Sequence, residues 1–257
     1  MWKDLKAQID VIKALTIHDL SGQMKTLNYG YVWLILEPII FIGFMRLARS
    51  AFKALAPPDG MTPLAFFTIG VIPTFMSFQL INKIFSIVGS PSGMLKFPNV
   101  TPVDMALASA CSIFCTYFML FWVFLIPVSI YEGCWPPRNL FGVMMAFIGI
   151  FLLSVALGFV LSAAYRVFPL MTKFWTMVQR GLRMVSGMFF VITMLPISVW
   201  PYLTWNPLLH LTELFRQYWF MSYNSPIASP MFVMECTLVL LLLGLSLEKF
   251  MRRVPYI

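Results

Sequence analysis

The chain has 257 residues, of which 60 % are hydrophobic and 11 % charged. Soluble domains are about 45–50 % apolar and about 25 % charged, so there is too little polar surface here to cover a soluble globule, and the composition reads as an integral membrane protein. The net charge of +8 does not point to nucleic acid, because the basic residues flank apolar runs instead of forming one stripe.

Residues 1–28 form no signal peptide, since no continuous apolar core follows Lys3. Trp2, Leu5, Ile9 and Ile12 recur at spacings of three and four, with Lys3, Asp4 and Asp10 on the other side. This predicts an amphipathic helix with an interfacial tryptophan, lying on a membrane surface or packed on a soluble partner.

Spanning a bilayer takes about 20 apolar residues, and residues 29–257 hold six segments that qualify. They are about Tyr31–Phe52, Thr62–Ile84, Met105–Tyr131, Asn139–Tyr165, Met171–Leu195 and Met231–Leu247. With both termini inside, the inner regions hold eleven Lys and Arg residues and the outer regions five, leaving Arg180 and Arg183 within the fifth segment. This charge bias predicts cytoplasmic termini. The loops are short and leave no room for a nucleotide-binding domain.

The stretch after the fifth segment is irregular. No Asp, Glu, Lys or Arg occurs from Met184 to Thr212, which is too long for one span and too short for two, and Pro196, Pro201 and Pro207 interrupt it. Non-helical backbone at membrane depth needs protein or water around it. Short helices that dip in and return over about 196–212 are one reading; a surface loop rich in interfacial aromatics is the other. Pro196, Trp200, Pro201, Trp205, Asn206 and Pro207 are candidate gate residues. So are Glu213 and Arg216, spaced to pair on the next helix.

Ionisable residues inside spans face a partner or a cavity. Glu37, beside Pro38, is the deepest carboxylate of the first span. Lys173, Arg180 and Arg183 fall on one face of the fifth, with Gln179 beside them. Such a face guides an anionic substrate, or its arginines pair with Glu37 or with carbonyls. Ser154, Gly158 and Ser162 form a row of small residues suited to close helix contact.

Cys111, Cys115, Cys134 and Cys236 show no CxxC and no ligand spacing; Cys111 and Cys115, one helical turn apart, read as packing residues. There is no phosphate-cradling GxxxxGK[ST] loop and no HExxH, and His18 and His210 are far apart. The acids are scattered, so no carboxylate cluster for a catalytic cation or metal site is expected.

The blocks "GYVWLILEP" (Gly30–Pro38), "LKFPNVTPVD" (Leu95–Asp104), "FPLMTK" (Phe168–Lys173) and "WNPLLHLTELFR" (Trp205–Arg216) resemble, in this order, those of capsule and O-antigen polysaccharide exporter permeases, a branch of the type-2 ABC exporters. The capsule-exporting permeases of Gram-negative bacteria are the most similar branch.

The resemblance implies an all-α membrane fold: an interfacial helix, six spans and re-entrant short helices before the sixth. It also implies a homodimer with a canal between two copies and no enzymatic activity in this chain. ATP and magnesium would bind a separate ABC ATPase, present in two copies. A periplasmic copolymerase and an outer-membrane channel would complete the route for a lipid-linked, often acidic, polysaccharide across the inner membrane. Tyr31, Trp33, Glu37, Trp175, Arg180 and Arg183 are then canal candidates. Leu95, Phe97, Pro98, Pro102, Asp104, Arg166 and Lys173 are candidates for coupling to the ATPase. The rivals are a permease for O-antigen, a teichoic-acid-type polymer or a smaller cargo, a membrane glycosyl or phosphoryl transferase, and a non-transporting scaffold.

Overall fold

A computed structural model describes residues 13–17, 60–89 and 101–251, with isolated positions between 36 and 58. The expected interfacial helix falls outside these residues apart from 13–17, which are helical. Most of the first span, including Tyr31, Trp33 and Glu37, also falls outside them, as do Leu95, Phe97 and Pro98.

The described chain is helical and contains no strand. Its helices are α1 (Pro63–Gly89), α2 (Pro102–Glu132), α3 (Leu140–Val167), α4 (Met171–Val185), the short α5 (Trp200–Leu203), α6 (Pro207–Trp219) and α7 (Pro230–Met251). Single 3-10 turns at Ile192–Met194 and Ile197–Val199 lie between α4 and α5. Four of the helices, α1, α2, α3 and α7, are long and apolar enough to cross a membrane. They match the second, third, fourth and sixth expected segments to within a few residues.

The fifth expected segment differs. Its helix stops at Val185 after 15 residues, about 22 Å at 1.5 Å per residue, short of a hydrocarbon core about 30 Å thick. The stop is local. Gly187 takes a left-handed backbone at φ 71°, and a Cβ there would lie 2.6 Å from Leu209 Cδ1 and from Thr212 Oγ1. Only glycine meets both demands.

The centre of the bundle is α1, whose residues from Ala65 to Phe78 are all buried. It packs on α2, α3 and α6. Both of its ends are held by side chains of other helices. The Glu132 carboxylate at the end of α2 accepts from Leu64 N and Ala65 N at 3.1 and 3.0 Å. Arg166 of α3 donates to Val88 O at 3.2 and 2.8 Å. An anion at the helix N-terminus and a cation at its C-terminus also match the helix dipole.

Two more caps start helices. Thr101 and Asp104 form a capping box at α2, with Pro102 in the first turn. Asn139 Oδ1 accepts from Gly142 N at 2.9 Å at α3.

The small-residue row of α3 faces α1. Ser154 Oγ meets Ser77 Oγ at 2.7 Å, and a Cβ on Gly158 would lie 2.8 Å from Ile84 Cβ. On the other side of α3, Gly244 of α7 lets the helices close, since its Cβ would lie 2.9 Å from Phe159 Cβ and 3.2 Å from Ala156 O. Close backbone approach through small residues is how membrane helices gain packing without a hydrophobic drive between them.

Gly158→Ala should therefore force α1 and α3 apart. A loss of about 1–3 kcal/mol, the usual cost of overpacking, is expected as earlier thermal unfolding in detergent. An unchanged melt would show that the contact yields freely.

Candidate functional site

The polypeptide from Ser186 to Asn206 is mostly non-helical, yet Ser186, Gly187, Met188, Val191, Ile192 and Asn206 are buried. Its amides and carbonyls need partners, and polar side chains of α6 and of its cap supply many of them. Asn206 caps α6 by accepting from Leu208 N at 3.0 Å and donates to Val185 O at 3.3 Å. Thr212 Oγ1 donates to Ser186 O at 2.8 Å. Arg216 donates to Phe190 O at 2.7 Å and Met188 O at 3.1 Å. Glu213 Oε1 accepts from Ile192 N at 2.9 Å.

Glu213 and Arg216 are fully buried. Each bonds to the irregular segment, so the expected pair is realised as two neighbouring clamps, although Arg216 Nε has no hydrogen-bond partner among the described residues. The second Glu213 oxygen takes the Tyr223 phenol. Burial first, and the carboxylate second, push that phenol above its ordinary value, so it remains the donor. The Arg216 guanidinium lies 4.1 Å from the Phe66 ring centroid, a cation–π contact. It fits there because α1 has glycine at position 70: a Cβ on Gly70 would lie 2.5 Å from Arg216 Nη2 and 2.4 Å from Met188 O.

His210 links the returning end of the segment to α7. Its Nε2 contacts Thr204 O at 2.7 Å, and its Nδ1 accepts from Ser229 N at 3.3 Å. This pairing fixes the neutral Nε2–H tautomer and a structural role.

The rest of the irregular segment is open. Pro196, Pro201 and Trp205 are exposed and Trp200 is half-buried, with Ile197 and Tyr202 exposed beside them. The gate candidates thus divide into an exposed tip (Pro196, Trp200, Pro201, Trp205) and a buried clamp (Asn206, Glu213, Arg216), with Pro207 at the first position of α6.

The fifth segment's basic residues also divide. Trp175 is buried and donates from Nε1 to Asn82 Oδ1 of α1 at 2.7 Å. Asn82 Nδ2 donates to Gln179 Oε1 at 3.0 Å. Arg183 leans on α1 too, 5.4 and 5.0 Å from the Phe75 and Phe78 ring centroids. Lys173 and Arg180 are exposed on the opposite side of α4, with Met177 and Met184. The expected single basic face is therefore two: Lys173 and Arg180 line the open side, and Arg183 is turned toward the bundle.

Of the coupling candidates, Pro102 and Asp104 are spent on the α2 cap and Arg166 on the end of α1. The residues that sequence reasoning missed are Gly70, Asn82, Gly187 and Tyr223. The Ser186–Gly187 pair is a turn signal, but nothing in the sequence ties Tyr223 to Glu213.

The arrangement is one of apolar helices of membrane-spanning length around a buried polar clamp, with Lys173 and Arg180 on an open face of α4. The chain is 25 % identical over 238 residues to the polysialic acid transport protein KpsM of Escherichia coli, covering 93 % of this chain and 92 % of that one. It is 27 % identical over 256 residues to the capsule polysaccharide export inner-membrane protein CtrC of Neisseria meningitidis serogroup B (98 % and 96 %). It is 26 % identical over 256 residues to the capsule polysaccharide export inner-membrane protein BexB of Haemophilus influenzae (96 % and 93 %). The chain is a homologue of capsule polysaccharide export inner-membrane proteins. No family model matches it. The similarity spans nearly the whole of each protein, in agreement with the resemblance drawn from the four sequence blocks.

The clamp makes a stability prediction. Arg216→Met leaves the Glu213 carboxylate buried without its neighbouring cation and should cost about 3–5 kcal/mol. Arg216→Lys should recover little, because a lysine cannot reproduce the fork that reaches two carbonyls. Thermal unfolding of both variants in detergent reads this out; wild-type stability in Arg216→Lys would mean that the fork is dispensable.

Proposed function

We propose that the chain is the membrane permease subunit of an ATP-driven capsule polysaccharide exporter, and that two copies enclose a canal for a lipid-linked, acidic polymer. The observation that carries this reading is the near full-length similarity to three differently named capsule-export and polysialic-acid-transport proteins. The open side of α4 supports it: Lys173 and Arg180 present cations, and Met177 and Met184 present adaptable apolar contacts. A surface of this kind holds an anionic polymer weakly at several points, which suits a cargo that must slide.

In this reading both termini are cytoplasmic, and a separate ABC ATPase binds ATP and magnesium. A periplasmic copolymerase and an outer-membrane channel continue the route. The ATPase acts on the region 95–104 and on residues 166–173. A push at 166–173 enters α4 directly and α1 through the Arg166–Val88 bond. α1 carries it to Gly70, where the Arg216 clamp holds the re-entrant segment, so the exposed tip with Trp200 and Trp205 moves with α1.

Reversing charge on the open face should slow an acidic polymer. Arg180→Glu with Lys173→Glu, at wild-type membrane levels, is expected to lower surface capsule by about tenfold, equivalent to about 1.4 kcal/mol added to passage. Unchanged capsule would remove these residues from the path.

The energy source is checked by extracting the tagged chain in mild detergent. An ATPase subunit in equal amount, with vanadate-sensitive hydrolysis, is expected. Recovery of the chain alone, even after crosslinking, would overturn the exporter reading.

A further inference from the structure

Helix α4 is held by few groups. Of its 15 residues only Trp175 is buried. Among the described residues, the side chain of another helix that bonds to side chains of α4 is Asn82 of α1. We propose that Asn82 is the positioning residue of α4: its amide holds that helix against α1 in one rotational setting, and so fixes which side chains α4 presents on its open side.

The amide suits this task because its two ends differ. An indole N–H can only donate, so Trp175 takes Asn82 Oδ1, at 2.7 Å. That choice turns Asn82 Nδ2 toward Gln179, whose Oε1 accepts at 3.0 Å. Trp175 and Gln179 stand about one turn apart on α4, so one amide reads two positions of the same side. Turning α4 by a single residue, about 100°, would carry both away from Asn82.

The other contacts of α4 with α1 are less exacting. The Trp175 ring stacks on Phe78 with centroids 6.4 Å apart, and Arg183 lies over Phe75 and Phe78. Ring faces accept a neighbour over a range of angles, whereas a pair of hydrogen bonds from one amide demands one setting. A single polar residue sets register between paired helices in the same way.

The ends of α4 do not replace Asn82. The N-terminus has no side-chain cap. The C-terminus is pinned by α6 and its cap, where Asn206 donates to Val185 O at 3.3 Å and Thr212 to Ser186 O at 2.8 Å. Val185 lies about 15 Å along the helix from Trp175, so the pin acts as a pivot and Asn82 holds the far half.

The consequence follows from helix geometry. Lys173, Met177, Arg180 and Met184 recur at i, i+4, i+7 and i+11 and form one stripe, roughly opposite Trp175 and Gln179. Holding one side sets the other. Its meaning for transport rests on the reading of that open side as the path of the polymer.

The test is hydrogen–deuterium exchange, read by peptide mass spectrometry on the full chain in mild detergent. A helix as short as α4 is marginal alone, so it frays where α1 no longer holds it. Asn82→Leu keeps the volume and removes both bonds. Exchange over residues 171–180 should rise several-fold, with 140–167 of α3 and 207–219 of α6 unchanged. Adding Trp175→Phe to Asn82→Leu removes the indole N–H left without a partner and should bring the exchange part-way back. If Asn82→Leu does not fold, Trp175→Phe alone decides: it keeps the ring, loses one bond and should give a smaller rise over the same residues. Wild-type exchange in the tested variant would make Asn82 a space-filler and overturn the proposal. So would a rise shared equally by α3, α4 and α6, or a double variant that exchanges no more slowly than Asn82→Leu. No transport is measured, so this failure is separable from failure of the exporter reading.

Discussion

A membrane interior tolerates no unpaired backbone, and this constraint organises the molecule. Helices α1, α2, α3 and α7 satisfy it internally. The stretch from Ser186 to Asn206 cannot, because prolines at 196 and 201 and the left-handed Gly187 prevent a continuous helix. Many of its buried carbonyls and amides are met by side chains of α6 and its cap. That requirement explains why a helix in an apolar bundle carries asparagine, histidine, threonine, glutamate and arginine within eleven positions. Removing any one of them exposes a main-chain group as well as losing a contact, so the residues act as a set.

The same constraint explains the role of α1. Arg216 reaches Met188 O only because Gly70 leaves space for the guanidinium and the carbonyl together. Farther along α1, Asn82 holds Trp175 and Gln179 of α4, and at its end Val88 O takes Arg166. One buried helix thus touches the clamp on the irregular segment, the open-faced α4 and the last turn of α3. Contacts at three depths along one helix are what the proposed function asks of α1.

Much of this was legible in the sequence, because composition and period act over many residues at once. Long apolar runs give four spans to within a few residues, and the proline-broken, charge-free stretch marks the irregular segment. The small-residue row on α3 signals close packing, although only the structure names α1 as its partner. What was not legible depends on single contacts between distant residues. The end of α4 turns on one left-handed glycine packed against Leu209 and Thr212. The division of Arg180 from Arg183 follows from which side of α4 meets Phe75 and Phe78. The phenol of Tyr223 reaches Glu213 across the turn after α6, and no periodicity encodes that.

The fates of the two arginines carry the argument furthest. Three residues apart on a helix is a rotation of about 60°, small enough for a sequence reading to place them on one face. In an apolar bundle that rotation separates environments. Arg183 spends its charge on two phenylalanine rings of α1, and its Nε finds no hydrogen-bond partner among the described residues; it holds α4 against the core. Arg180 points away from α1 and keeps its charge available. A cation already engaged by aromatic faces contributes to packing, whereas one on an open side can exchange partners, and only the second behaviour suits a passing anionic chain. In the proposed function, the roles of residues on this helix therefore follow from which neighbour each one meets, more than from residue type.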